Sequence, residues 1–504
     1  VALDPEELAL AGSAEWWLVR LGQRLDAERA EMNRLNDYDK GLHPFPTGNK
    51  RSRETFTRFQ RQARTNFVGL VTESVLDRLR IDGFRMGGQG DVSADALAHD
   101  VWQDNGLDAD AGIVMRDALV MRRAYVVVGP TDDADSKTGV LVTGEDPRQV
   151  MHECDPCNRR KVRAALKTWS DDVTGEVNAV VYLPETITYF TGIKREGGTP
   201  WDAAHWERDL DEGTDGVEAN PTAPVVPVVP FVNRPEKARC GFGEFEDLID
   251  IQDRINQGTL DRMVTGATQS FRQRWATGVD IDKNQFDPGA DLIWHVEDAA
   301  AKFGDFTNAD IRMFLDGVRA DVEAMASISR TPPYYLLGQM VNVSGDALTA
   351  AESGLVAKCR SRMLQFGESW EAVEALAFML KGRKVAIDAE VIWADPERRN
   401  EAASADAAVK KATTGVEVPK RQLWEDLGYS PQQIERMEAM LANDAFEAML
   451  KMPPQLQPQL GPDGQPMPMP GAAPPAPSGA ASAGAAPKAP GAAPAPPAPV
   501  PAHA

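Results

Sequence analysis

The stretch from Ala326 to Gly382 reads SISRTPPYYLLG (327–338), QMVNVSGDAL (339–348), and then a long helical pattern that closes with FMLKG (378–382). A helix stops, a short polar loop follows, and a much longer helix begins. The stop is Pro332-Pro333: Pro332 pushes Thr331 out of the α region, and two successive prolines cannot continue the hydrogen-bond ladder. The new start is Ser344-Gly345-Asp346, where Ser344 can cap free amides and Asp346 sits in the first turn, favoured by the helix dipole. Apolar residues then recur at Leu348, Ala351, Leu355, Cys359, Met363, Phe366, Trp370, Val373, Ala377 and Leu380. This three-and-four spacing predicts one helix that ends at Gly382 and is roughly 55 Å long. So long a helix serves as a spine crossing a domain or as part of an assembly.

Around that spine the chain has 504 residues and a net charge of −22. The length allows two or three packed domains with a sizeable core. The acidity argues against a protein that grips nucleic acid over a broad basic surface, although nucleic acid that must slide past is compatible with it. Four cysteines, Cys154, Cys157, Cys240 and Cys359, make a disulfide framework unexpected and suit a reducing compartment. No apolar run reaches a membrane-spanning length, and the acidic start VALDPEELALAG lacks the layout of a signal peptide. A cytosolic, soluble product is expected.

Upstream of the spine, residues 3–37 predict an opening helix, followed by the turn-rich LNDYDKGLHPFP (35–46). Arg51 to Arg80 returns to helical spacing, with Arg51, Arg53, Arg58, Arg61 and Arg64 on its other face, read as a solvated or partner-facing surface. IDGFRM (81–86) is a short strand. Ser93–Asn105 and Asp110–Met121 are helices, and the second feeds the buried strand AYVVVGP. LVTGE, QVMHE, VRAALKTW, NAVVYLP and TITYF then alternate with turn clusters, which implies an antiparallel sheet packed on the preceding helices. Residues 191–220 read as loop, and the proline-rich 221–236 as an extended connector. Helices at Glu244–Thr268 and Asn308–Ser329 bracket a mostly non-helical insert at 271–306. After the spine come a strand and a helix through Thr413, then two more helices. From Pro453 onward the Pro/Ala/Gly-rich chain cannot bury enough apolar area to offset its ordering entropy, and it is read as disordered.

The sharpest chemical motif is His152-Glu153-Cys154-Asp155-Pro156-Cys157. Cys-x-x-Cys with His152 could supply part of a zinc site, but no second Cys/His pair lies at normal spacing, and DPCN between strands is ordinary turn chemistry. Asp132, Asp133 and Asp135 begin like a calcium loop, yet the glycine and distal glutamate fall at the wrong offsets. No Walker-type loop, nucleophile elbow, histidine triad or spaced carboxylate pair appears. The residues therefore argue for no enzyme, no cofactor and no metal.

The order of parts resembles the portal (connector) protein of tailed bacteriophages, in the siphovirus-type branch with a compact clip. LNDYDKGLHPFP, ARTNFVGLVTESVLDRLRIDGFR (63–85) and above all SISRTPPYYLLGQMVNVSGDALTAAESGLVAKCRSRMLQFGESWEAVEALA (327–377) carry the resemblance. It spans most of residues 20–450 in organisation and is specific in the last segment. It implies an α+β, mainly helical subunit with wing (1–235 and 347–414), stem helices (236–270 and 307–331), clip (271–306), tunnel-loop region (332–346), crown (415–452) and disordered tail (453–504). Implied stem residues are Leu248, Ile251, Ile255, Ile311, Leu315 and Val318. Implied clip residues are Arg272, Arg274, Trp275, Trp294 and His295. The tunnel loop would be Gln339, Met340, Val341, Asn342, Val343, Ser344, Gly345 and Asp346. A ring of about twelve subunits at one capsid vertex is implied, assembled in the host cytoplasm and carried in the virion. Its partners would be DNA in transit, the large terminase subunit, major capsid and scaffolding proteins, and a head-completion adaptor, with no membrane. The uncharged loop tip and the net acidity suit a low-friction passage for DNA. Two readings from other classes are a minor capsid or other structural head protein, and a zinc-dependent hydrolase or nuclease using His152, Cys154 and Cys157.

Overall fold

In a computed structural model of the chain, the described residues are 10–47, 53–87, 92–171, 173–193, 215–236, 241–269, 310–338, 345–387, 389–397, 418–429 and 431–450, with short pieces at 201, 205–210, 213, 274–277, 300, 302–305 and 409–411. The chain divides into two units, residues 1–435 and 436–504. In the second, the described residues 436–450 are helical.

The core is built around α9, whose predecessors in chain order are as follows. Helix α1 is Ala14–Asp39, α2 Arg53–Ala63, α3 Phe67–Leu76, α4 Val92–Asp104 and α5 Leu107–Met121. After the sheets come α6 (Ile249–Gln269), α7 (Arg312–Ser329), the short α8 (Pro333–Leu337), α9 (Gly345–Leu380), α10 (Lys420–Asp426) and α11 (Pro431–Leu450). The 36 residues of α9 form the expected spine, about 54 Å long. From Leu355 onward its apolar stripe is fully buried at Leu355, Cys359, Phe366, Trp370, Val373 and Ala377, against α4, α5 and two sheets. The Trp370 ring meets Trp102 and Phe231 edge-on, with centroids 5.0 and 4.8 Å away. One helical turn apart, Trp370 Nε1 and both Glu374 carboxyl oxygens are buried with no hydrogen-bond partner among the described residues. Burial raises the Glu374 carboxyl well above its ordinary range, so it sits in the core as the neutral acid.

Three strands, β10 (Val228–Val232), β2 (Arg123–Pro130) and β3 (Val140–Glu145), form one antiparallel sheet in that order. A second sheet takes β4 (Val150–Cys154), β5 (Val162–Ser170), β6 (Glu176–Tyr182), β7 (Thr186–Ile193) and β8 (Trp206–Arg208), with β9 (Val217–Ala219) also paired to β7. Period-two alternation sorts their side chains. Ala124, Val126 and Val128 of β2 face the α9 core, while Tyr125 turns to the second sheet. On that sheet Ala165, Val180 and Tyr182 meet Tyr125, whereas Met151, Leu166 and Val181 meet Trp17, Leu18 and Leu21 of α1. The strand β1 (Ile81–Arg85) pairs with β13 (Glu390–Trp393), so IDGFR closes on the chain 300 residues downstream.

Four expectations change. The helical pattern from Arg51 to Arg80 is two helices, because Asn66 caps α3 by accepting from the Gly69 amide at 3.0 Å and so stops α2 at Ala63. The presumed loop at 191–220 contains β8 and β9. The presumed connector at 221–236 contains β10, where Pro230 is tolerated because β10 is a sheet edge and its carbonyl accepts from Ser369 Oγ at 3.0 Å. Pro333 starts α8 instead of ending all helix: proline fits the first helical position, and Gly338 at φ +64° caps the far end.

Replacing Trp370 with alanine should cost about 3–5 kcal/mol, and replacing Leu364, which is 76% exposed on the same helix, less than about 0.5. Thermal denaturation of both variants checks this; equal losses would contradict the burial.

Candidate functional site

The helix pair α6–α7 and the segment joining α7 to α9 form the site. The two helices are antiparallel in level: Gly258 of α6 leaves room for Val318 of α7, whose Cγ2 would lie 3.1 Å from an added Cβ, and Arg254 bonds Asp321 at 2.8 Å. At the far end the pair is closed by a two-stranded antiparallel ladder, β11 (Arg274–Thr277) with β12 (Lys302–Asp305), in which Trp275 lies opposite Gly304. The indole covers that glycine so closely that an added Cβ would lie 2.4 Å from the ring.

At the near end, polar side chains of α6 hold the LNDYDKGLHPFP segment. Tyr38 Oη donates to Asp253 at 2.9–3.0 Å, and burial followed by Asp253 pushes the phenol up from its ordinary range. The Thr47 amide donates to Gln257 Oε1 at 2.9 Å. Gln252 Oε1 accepts from the Phe67 and Val68 amides, two of the orphan donors at the start of α3, while its Nε2 donates to the Thr65 carbonyl and to Asn256 Oδ1. His43 lies between the Tyr38 carbonyl at 3.0 Å (Nε2) and Asn256 Nδ2 at 3.1 Å (Nδ1). Those partners assign a neutral ring with Nε2 protonated, and burial lowers its pKa accordingly.

Two buried ionic clusters then reach α9, the first from α8 and the end of α3, the second from the helix pair. In the first, Arg78 bonds Glu352 at 3.0 Å, the Pro396 carbonyl at 2.7 Å and Tyr335 Oη at 3.1 Å, while Tyr334 Oη donates to Glu352. In the second, Glu244 accepts from Arg362 Nε at 3.0 Å and pairs with Lys358 at 3.3 Å, while Lys358 Nζ also donates to the Ser329 carbonyl, at 2.8 Å, at the end of α7. Burial alone would raise Glu244; Lys358 and Arg362 outweigh it and hold the carboxyl below its ordinary range. Burial, opposed by Glu244, lowers Lys358.

The expected site residues fall unevenly. Leu248, Ile251 and Ile255 are buried in the chain's own core with Val322 and Met325. Val318 is half-buried against them, Ile311 precedes α7 half-buried, and Leu315 is 48% exposed. Arg274 and Trp275 belong to β11, whereas Arg272, Trp294 and His295 lie outside the described residues. Gln339, Met340, Val341, Asn342, Val343 and Ser344 likewise lie outside; Gly345 and Asp346 are the first residues of α9.

His152 and the two cysteines do not converge. His152 is buried between the sheets with Nδ1 2.9 Å from Tyr125 Oη, and burial, aided by Arg123 and Arg24, pushes its pKa down to about 3. Cys157 is exposed in a turn where Asp155 Oδ1 accepts the Cys157 amide at 2.7 Å. Among the described residues no group of three His, Cys, Asp or Glu side chains could hold a metal ion. No described helix is long and apolar enough to cross a membrane. Sequence reasoning missed Gln252, Asn256, Glu244, Lys358 and Arg362. The signal for Gln252 and Asn256, and for Lys358 and Arg362, was polar residues at four-residue spacing on the buried stripes of α6 and α9.

The pair is thus fixed to the long helix α9 by buried ion pairs. The family model described as phage portal protein, SPP1 Gp6-like, matches residues 20–445. The portal protein of Mycobacterium phage L5 is 29% identical over 469 residues, covering 88% of this chain and 93% of that protein. The portal protein of Mycobacterium phage D29 is 28% identical over 400 residues, 74% of this chain and 78% of the relative. The chain belongs to the SPP1 Gp6-like family of phage portal proteins.

Substituting Glu244 with glutamine leaves Lys358 and Arg362 sharing no carboxylate and should cost about 3–5 kcal/mol, read as a fall in Tm; an unchanged Tm would refute the clamp. The two buried histidines give a pH test. Their folded pKa values lie below the unfolded value near 6.5, so the unfolded chain binds more protons as pH falls. Their contribution is full above about pH 6.5 and is lost from there toward about 3 for His152, with a slope of about 1.4 kcal/mol per pH unit per histidine. His152→Gln should flatten the acid limb of Tm against pH; parallel limbs would contradict the assignment.

Proposed function

We propose that copies of this chain close into a ring around a passage for double-stranded DNA at one capsid vertex, through which the genome enters during packaging and leaves at ejection. In this reading α6 and α7 are the stem, β11–β12 the base of the clip, residues 339–346 the tunnel loop, α9 the spine of the wing, and α10 with α11 the crown. The large terminase subunit and, after packaging, a head-completion adaptor meet the clip; capsid and scaffolding proteins meet the rest of the ring.

The observation that carries this reading is the double fixation of one helix pair. A ladder closes α6–α7 at one end, and at the other two buried ionic clusters lock the pair and the 331–338 segment to α9. A loop that leaves α8 and re-enters at α9 is thereby held at both roots, as a constriction facing a moving polymer requires. Charge supports passage over grip. Six carboxylates outnumber four arginines on α6 and α7, and the whole chain is at −22. Few neutralised phosphates mean little counterion release and little affinity to oppose sliding.

Native mass spectrometry of the full chain, with negative-stain images of the same sample, tests the reading. Closed rings with a central hole and a mass of about twelve times the 54.9 kDa subunit are expected. A species that stays monomeric or dimeric even when produced with the capsid proteins would overturn it.

A further inference from the structure

The two buried clusters differ in charge balance. Arg78 faces one carboxylate, Glu352, and its two Nη groups also donate to the Pro396 carbonyl and Tyr335 Oη. In the other, two cations share one carboxylate. Lys358 and Arg362 are both about nine-tenths buried, and Glu244 is their shared anion. Lys358 is engaged by Glu244 and the Ser329 carbonyl, but Arg362 bonds Glu244 through Nε alone. Its Nη groups make no hydrogen bond among the described residues, and Arg362 lines an open cleft of about 440 Å³ between α7, α9 and the segment that leads into α6.

Other donors converge on the same space. Ser361 and Arg330 line the cleft, and neither side chain forms a hydrogen bond or ion pair among the described residues. Arg330 caps α7 in the left-handed region at φ 55° and is exposed at the end of that helix. Arg234, also in the lining, is neutralised by Asp247 at 3.0 Å. With Glu236 as the third acid, the lining sets the four cations Arg234, Arg330, Lys358 and Arg362 against the three carboxylates Glu236, Glu244 and Asp247, which leaves one surplus positive charge. A buried surplus charge with a forked donor edge is the arrangement that takes a planar or tetrahedral oxyanion in bidentate fashion.

We propose that this cleft is an oxyanion-binding site in which Arg362, Arg330 and Ser361 receive a carboxylate or phosphate. Two sources supply that chemistry: an acidic side chain of a neighbouring copy of this chain, which is rich in exposed acids at −22 overall, and free phosphate. The site itself does not depend on ring formation; only the first source rests on the ring reading above.

The test uses the full chain in its unassembled form, checked by native mass, with inorganic phosphate exchanged against chloride at constant ionic strength. Phosphate at a hundredfold excess over Kd should raise the Tm of the wild-type subunit by about 2–4 °C. Arg362→Gln should abolish the rise and Arg330→Gln should reduce it severalfold; Arg330 is exposed, so its variant reports even where Arg362→Gln fails to fold. No rise in the wild type, or an equal rise in both variants, overturns the site. Ring yield in the same variants separates the sources. Loss of rings that phosphate also inhibits in the wild type identifies the neighbour's carboxylate, and undiminished rings identify the free ion. A wild type that binds phosphate yet never forms rings refutes the ring reading and leaves the site standing.

Discussion

Lys358 and Arg362, each about nine-tenths buried, close on Glu244 at the wall of a cleft, and the arrangement of the helices is tied to that contact. Glu244 precedes α6, Ser329 ends α7, and both cations stand one turn apart on α9. Three segments spread over 118 residues of chain are thus fixed at a single point. Such contacts add little net stability over an apolar equivalent, because desolvation offsets most of the Coulomb gain. Their value is geometric: any shift of α6 or α7 along α9 strands a buried charge. Apolar packing on α9 tolerates small slides; this cluster does not.

The spine helix was legible because one signal, apolar spacing, coincides with its real burial. Leu355, Cys359, Phe366, Trp370, Val373 and Ala377 all lie at the expected positions in the core. The strands from β2 to β7 were legible as β-branched and apolar runs between turn clusters; that Tyr125 and Val126 face different cores is seen only in the fold. What failed were features decided by a single side chain acting on distant backbone. Asn66 splits one helical pattern in two through a local cap. Pro230 enters a strand because the sheet ends there and Ser369 satisfies its carbonyl. Neither partner is identifiable before the chain is folded.

The site was legible in outline and opaque in detail. The flanking helices and the start of α9 stand where the periodicity puts them, and β11–β12 shows ordered pairing at the edges of the insert. The polar residues that do the clamping went unread, because Gln252, Asn256 and Lys358 look like interruptions of an apolar stripe. Conversely the most chemical-looking motif, around His152 and Cys157, resolves into a buried neutral imidazole under Tyr125 and an Asx turn on the surface. Burial and hydrogen-bond saturation separate structural from reactive side chains, and neither is a property of residue spacing.

Thr277 and Lys302 face each other across the last pair of the β11–β12 ladder, so the chain leaves and returns at neighbouring points, about 5 Å apart. Whatever is inserted between them imposes no change of separation on the helices below. Closing a longer loop across such a gap costs only about 0.6 kcal/mol for each doubling of its length. The segment between residues 277 and 302 can therefore change in length and sequence without altering the spacing of the two strands that hold its ends.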